Sequence, residues 1–138
     1  MARSTDWNRA IIEEFRSNGG KVGGIFEDTP LVLLTTTGAK SGKPRTTPLV
    51  YQPDGDRIIV FASKGGAPTH PSWYHNLLAN PRATVEVGSD QFDVTAVELK
   101  GDERDRVYSK HAEQHPQFVE YQASTSRKIP VVALEPAG

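Results

Sequence analysis

Lys40, Lys43 and Arg45 fall within six residues, among Gly38, Ser41, Gly42, Thr46 and Thr47. Glycines let a backbone turn its N–H groups toward a guest. Cations add long-range attraction, and a guanidinium grips a carboxylate or phosphate with two parallel hydrogen bonds. The loop is suited to an anion with several charged groups, and the bland alternative is a solvated basic turn. A Walker A reading fails. Gly38 to Gly42 is one residue too short, Pro44 stands where Ser or Thr would meet magnesium, and Thr46 to Tyr51 reads as strand rather than helix.

A second stretch, Ala62-Ser63-Lys64-Gly65-Gly66, leaves a strand and precedes a helix that starts near Pro71. Its N–H groups can face a flat polar ring, with Gly65 and Gly66 allowing close approach; an ordinary flexible connection is the alternative. Trp73 and Tyr74 on the helix are core residues or a ligand wall. His70 and His75 have the wrong spacing for a helical metal site. His111 and His115 share a face, but Glu113 is displaced from the zincin position. No metal site is expected. No serine sits on a nucleophile elbow, and Glu13-Glu14 reads as a solvated helix face.

The elements that must position these residues follow from periodicity. Residues 6–17 read as a helix with Asp6 as N-cap and Trp7, Ala10, Ile11 and Phe15 on one face. That helix is a lid on the core or a surface for a partner or membrane. Residues 21–30 read as a loop. Strands are expected over 31–36, 46–52, 57–62, 83–87, 91–99 and 129–134, with Pro53-Asp54-Gly55-Asp56 as a hairpin turn. Residues 63–68 read as a loop. Helices are expected over 71–79, 102–113 and 116–125, with Pro116 dividing the last two. Six mostly antiparallel strands with separate helices make an α+β domain built on a small barrel. We divide the chain into an N-terminal amphipathic helix, residues 1–20, and one barrel domain, residues 21–138.

At 138 residues, one domain with a real core is expected. Sixteen basic and seventeen acidic residues leave a net charge of -1, so the basic cluster is a local device and nucleic-acid binding is not expected. The chain has no cysteine, which excludes disulfides and thiolate chemistry and fits the cytoplasm. No apolar run approaches a membrane span, and no signal-peptide pattern opens the chain.

Several ordered motifs carry a resemblance. Thr37-Gly38-x-Lys40-Ser41-Gly42-x-x-Arg45-x-x-Pro48-Leu49 is followed by Ala62-Ser63-Lys64-Gly65-Gly66. Then comes Pro71-x-Trp73-Tyr74-x-Asn76-Leu77-x-Ala79-Asn80-Pro81, and finally Ile129-Pro130-Val131-Val132. From about residue 21 the chain resembles the deazaflavin-dependent nitroreductase family of actinobacteria. The resemblance implies a split β-barrel related to flavin-binding oxidoreductases. It implies binding of coenzyme F420, an 8-hydroxy-5-deazaflavin with a ribityl phosphate and a lactyl-oligoglutamate tail. The matching cofactor positions are Lys40, Ser41, Arg45, Thr47 and Pro48, then Ala62, Ser63, Lys64 and Gly65, then Pro71, Trp73, Tyr74 and Asn76.

On the acceptor side the resemblance points to His115, Phe118 and Tyr121. His115 and Phe118 stand where nitroimidazole-reducing members have tyrosines, which argues against bulky nitro-drug reduction. Ser63 and Tyr121 are the expected catalytic hydroxyls. The implied activity is hydride transfer from the reduced deazaflavin to a quinone, a nitro compound or another small conjugated acceptor. A non-catalytic deazaflavin carrier and an FMN-binding split-barrel protein are the rivals. The expected setting is cytoplasmic. Residues 1–20 are open to peripheral contact with the inner face of the cell membrane, and a homodimer is open as the assembly.

Overall fold

The structure is a computed structural model that describes residues 2–23, 30–66 and 69–137. Parts of the expected loops at 21–30 and 63–68 lie outside the described residues. The elements are α1 (Ala2–Ser17), β1 (Leu31–Thr37), β2 (Pro44–Asp54), β3 (Arg57–Phe61), α2 (Ser72–Ala79), β4 (Arg82–Val87), β5 (Asp90–Leu99), α3 (Gly101–Gln114), α4 (Gln117–Ala123) and β6 (Val131–Pro136). The six strands close an antiparallel barrel in the order β1-β2-β3-β6-β5-β4, with β4 returning to β1.

Side-chain alternation decides what each strand shows to the two faces. Val32, Leu34, Ile58, Val60, Val132 and Leu134 point inward, with Val85 and Val94, to make the barrel core. Their neighbours Leu31 and Leu33 point outward under α1, against Phe15 and Val22. Ile59, Phe61, Val131 and Ala133 point outward under α3 and α4, against Tyr108, Ala112 and Phe118. β1, β3 and β6 are therefore covered on both faces, which is why they read as unbroken apolar runs. β4 has one dry face, and it alternates Ala83 and Val85 with Thr84 and Glu86.

β2 is split in its pairing. Pro44 to Val50 pairs with β1, and Tyr51 to Asp54 pairs with β3. Pro48 falls in the half with a single neighbour, where a missing N–H is tolerated. The β2–β3 turn is tighter than expected: Asp54 pairs with Arg57, and only Gly55 and Asp56 lie between. α1 starts at Ala2, so Asp6 lies inside the helix and is not its N-cap. Beyond α1, Gly20 takes φ 94, and a Cβ there would stand 2.5 Å from Gly88 Cα. Only glycine lets the end of α1 press against the β4–β5 turn. Pro71 caps α2 from outside, with extended backbone, instead of sitting in its first turn.

Candidate functional site

The basic loop is the β1–β2 hairpin. Gly38 N–H donates to the Lys43 carbonyl at 2.8 Å, and Gly42 N–H to the Gly38 carbonyl at 2.9 Å. Ser41 Oγ accepts from Lys43 N–H at 3.2 Å. What fixes the hairpin to the rest of the protein is Asn76. Its Oδ1 accepts from Ala39 N–H at 2.9 Å, and its Nδ2 donates to Thr36 Oγ1 at 3.0 Å. Asn76 is buried, and α2 holds it there because Trp73, Tyr74 and Leu77 on the same helix are sunk in the barrel core.

Above the hairpin lies a cleft of about 1070 Å³, walled by α1, the hairpin and the start of α2. Lys40, Ser41, Arg45, Thr47 and Asn76 line it; so do Arg9 and Arg16 of α1. Pro48, Trp73 and Tyr74 are not part of that lining. Tyr74 donates its hydroxyl to Glu98 Oε1 at 2.8 Å. Burial and that carboxylate push its phenol up to about 12, so it remains a protonated donor.

The second loop is held from outside. Arg127 Nη1 donates to the Ala62 carbonyl at 3.0 Å, and Nη2 to the Ser63 carbonyl at 2.8 Å. Nη1 also stands 3.0 Å from His70 Nδ1. A guanidinium can only donate, so Nδ1 accepts and His70 is neutral with its proton on Nε2. Burial lowers the His70 pKa, and the charge on Arg127 lowers it further. Lys64 takes φ 48, an uncommon backbone for a residue with a side chain, and donates Nζ to Thr69 Oγ1 at 3.2 Å. Gly66 follows at φ 82, where a Cβ would stand 3.0 Å from the Tyr121 carbonyl. The loop is thus wedged between Arg127 and α4.

This arrangement makes a prediction. Arg127→Ala strands two carbonyls and the imidazole, and we expect a loss of about 1–3 kcal/mol of folding stability in urea melts. An unchanged midpoint would mean that water replaces the guanidinium at no cost.

α4 brings Tyr121 beside the second loop, half-buried, with its ring 5.0 Å from Phe118. Phe118 is buried among Phe61, Tyr108 and His111, and its carbonyl accepts from the Tyr108 hydroxyl at 2.6 Å. His115 packs at 4.5 Å on His111. The structure therefore gathers the sequence-predicted residues in two places. Lys40, Ser41, Arg45, Thr47 and Asn76 meet in the cleft; Ser63 and Lys64 lie on the second loop, whose Gly66 packs against Tyr121. Phe118 and His115 belong to the packing behind α4 and do not line the cleft. Among the described residues no group of three or more His, Cys, Asp or Glu is placed to hold a metal ion.

A family model for F420H(2)-dependent quinone reductase matches residues 7–136. The chain belongs to that family. An F420H(2)-dependent quinone reductase of Mycobacterium tuberculosis (strain H37Rv) is 44% identical over 124 residues, 87% of this chain and 83% of the relative. A solved F420-H2-dependent reductase is 48% identical with a TM-score of 0.70, covering 77% of this chain and 94% of that one. Another solved chain, described as a domain-swapped dimer, is 44% identical with a TM-score of 0.73 over 96% of this chain and 99% of its own.

The cleft suits the cofactor that gives the quinone reductase family its name. Arg9, Lys40 and Arg45 line it, and among the described residues none of the three makes an ion pair. Glu13 lines the same cleft, yet the cations outnumber it, and like charges gathered in excess favour an anion that joins them. A phosphate and glutamate chain fits that donor set. Two contributors were missed by sequence reasoning, Arg9 and Arg127. Arg127 bonds to residues far away along the chain, Arg9 shares a cleft with residues far away along it, and neither sits in a motif. Arg9 had one available signal, its place on a helical stripe with Ile12, Glu13 and Arg16.

Proposed function

We propose that this chain reduces a quinone with coenzyme F420, using the hairpin to bind the anionic part of the cofactor and the second loop to seat its ring. The observation that carries this reading is the convergence on one cleft of Arg9, Lys40 and Arg45, which make no ion pair among the described residues, in a member of the F420H(2)-dependent quinone reductase family. When bound, the reduced deazaflavin would supply a hydride, one proton carrying two electrons.

The chain's own residues supply placement and charge. Lys40 and Arg45 hold anionic oxygens, helped by the hydroxyls of Ser41 and Thr47, while Pro48 shapes the strand edge beneath them. Ala62, Ser63, Lys64 and Gly65 offer backbone to the edge of the ring. Pro71, Trp73, Tyr74 and Asn76 keep the start of α2 in place, where first-turn N–H groups favour negative charge. Ser63 Oγ and Tyr121 Oη are the hydroxyls that donate to the acceptor oxygen. A phenol stays protonated near neutral pH and acts as a donor, not an anion. Phe118 and His115 back this wall from behind α4.

The relative described as a domain-swapped dimer supports a homodimer as the assembly to expect. No helix among the described residues is long and apolar enough to cross a membrane. A cytoplasmic reductase would meet a membrane quinone at the inner face, and residues 1–20 are the segment to examine for that contact.

The test sets the rival readings apart. Purified protein should bind F420 more tightly than FMN by fluorescence quenching and should oxidise reduced F420 steadily with menadione as acceptor. Tighter FMN binding would overturn the cofactor. Tight F420 binding without turnover on any quinone or nitro acceptor would make the protein a carrier.

A further inference from the structure

α1 does two jobs on two faces. Phe15 is buried, and Ile11 and Ile12 pack on the cluster that lies outside β1. Arg9, Ile12, Glu13 and Arg16 recur at helical spacing and form one wall of the cleft, with Ile12 at the border of the two faces. The helix is docked firmly. Arg16 pairs with Glu86 through two hydrogen bonds of 2.7 and 2.9 Å, and Glu14 Oε2 accepts from Gly23 N–H at 2.9 Å.

These contacts separate the two arginines. Arg16 is consumed in holding α1 to β4. Arg9 lies about two turns earlier on the same wall and, among the described residues, has no carboxylate partner. It faces a cleft that Lys40 and Arg45 enter from the hairpin. The volume is at the upper end of what a drug-sized ligand fills, far more than one phosphate needs.

We propose that the α1 wall is a separate subsite for a flexible polycarboxylate, in which Arg9 takes carboxylates of the cofactor's oligoglutamate tail beyond the groups that Lys40 and Arg45 hold. The proposal rests on the cofactor reading above. Glu13 on the same wall sets its limit: it repels carboxylates on the stretch towards Arg16. The N-terminal helix thereby becomes a gauge of tail length, and the affinity it contributes is exposed to solvent and sensitive to salt.

The experiment compares wild type with Arg9→Gln, using three probes in fluorescence titrations. They are F420 with a single glutamate, F420 with a long tail, and the deazaflavin that lacks phosphate and tail. Wild type should hold the long-tailed form most tightly. Arg9→Gln should remove about threefold to fivefold of that preference, the size of one exposed charge pair, with the tail-less affinity unchanged. Arg9→Lys should restore most of it, and added salt should erase it in wild type.

A uniform loss across all three probes would make Arg9 a structural part of the wall and overturn the proposal. A tail-length preference that survives in Arg9→Gln, or one missing from wild type, would overturn it too. Wild type that binds none of the probes would instead refute the cofactor assignment.

Discussion

Arg45→Ala is expected to weaken F420 binding by about 1.5–3 kcal/mol, roughly tenfold to 150-fold in the dissociation constant, which is the scale of a lost charge-assisted hydrogen bond. The fold should hardly notice. Arg45 is exposed on the half of β2 that pairs with β1 alone and makes no ion pair among the described residues. Its backbone is fixed from elsewhere: it pairs with Thr36, and Thr36 Oγ1 is held by Asn76. Removing the side chain therefore takes away an anion contact and leaves its mounting in place.

Arg45→Lys keeps the charge but not the two-pronged geometry, so an intermediate affinity is expected. Fluorescence titration paired with a urea melt reads both quantities. A dissociation constant that does not move, or a large loss of stability, would return the hairpin to a solvated basic turn.

The parts of the fold that were legible in the sequence are those set by neighbours close along the chain. Leu31 to Leu34 reads as buried because both of its faces are covered, and Pro116 divides α3 from α4 as its missing N–H requires. The ends were less legible. β2 runs from Pro44 to Asp54, well past the expected 46–52, because pairing partners on two different strands extend it.

The site divides in the same way. The hairpin cations are visible as a local cluster. The reason they are held in place is not, since Asn76 reaches Ala39 and Thr36 across 37 and 40 residues. Arg127 clamps carbonyls 65 and 64 residues away, and nothing near it in the chain announces that. His111 and His115 show the converse. Their spacing invites a metal reading, yet what fills that space is aromatic: His111 stacks on Phe61 with ring centroids 4.0 Å apart.

His111 makes the protein sensitive to acid. The side chain is fully buried, its Nδ1 lies 3.2 Å from Gln52 Oε1, and its Nε2 has no hydrogen-bond partner among the described residues. Burial, and to a lesser degree His115, lowers its pKa from 6.5 to about 4. The folded state thus refuses a proton that the unfolded chain accepts. Between those two pKa values the unfolded state binds more protons, so stability falls as the pH falls. The stabilisation is complete above about 6.5 and is lost progressively down to about 4, a total of about 3 kcal/mol from this one group.

His70, also lowered, adds to the slope in the same direction. His111→Gln retains a donor for Gln52 and cannot titrate. It should cost stability at neutral pH, through poorer stacking on Phe61, and yet lose less on going to pH ~4.5 than wild type does. Urea melts at both pH values measure the difference. Equal acid sensitivity in wild type and His111→Gln would mean that the ring is reached by water and protonated in the folded state, and would move the acid-labile point to another residue.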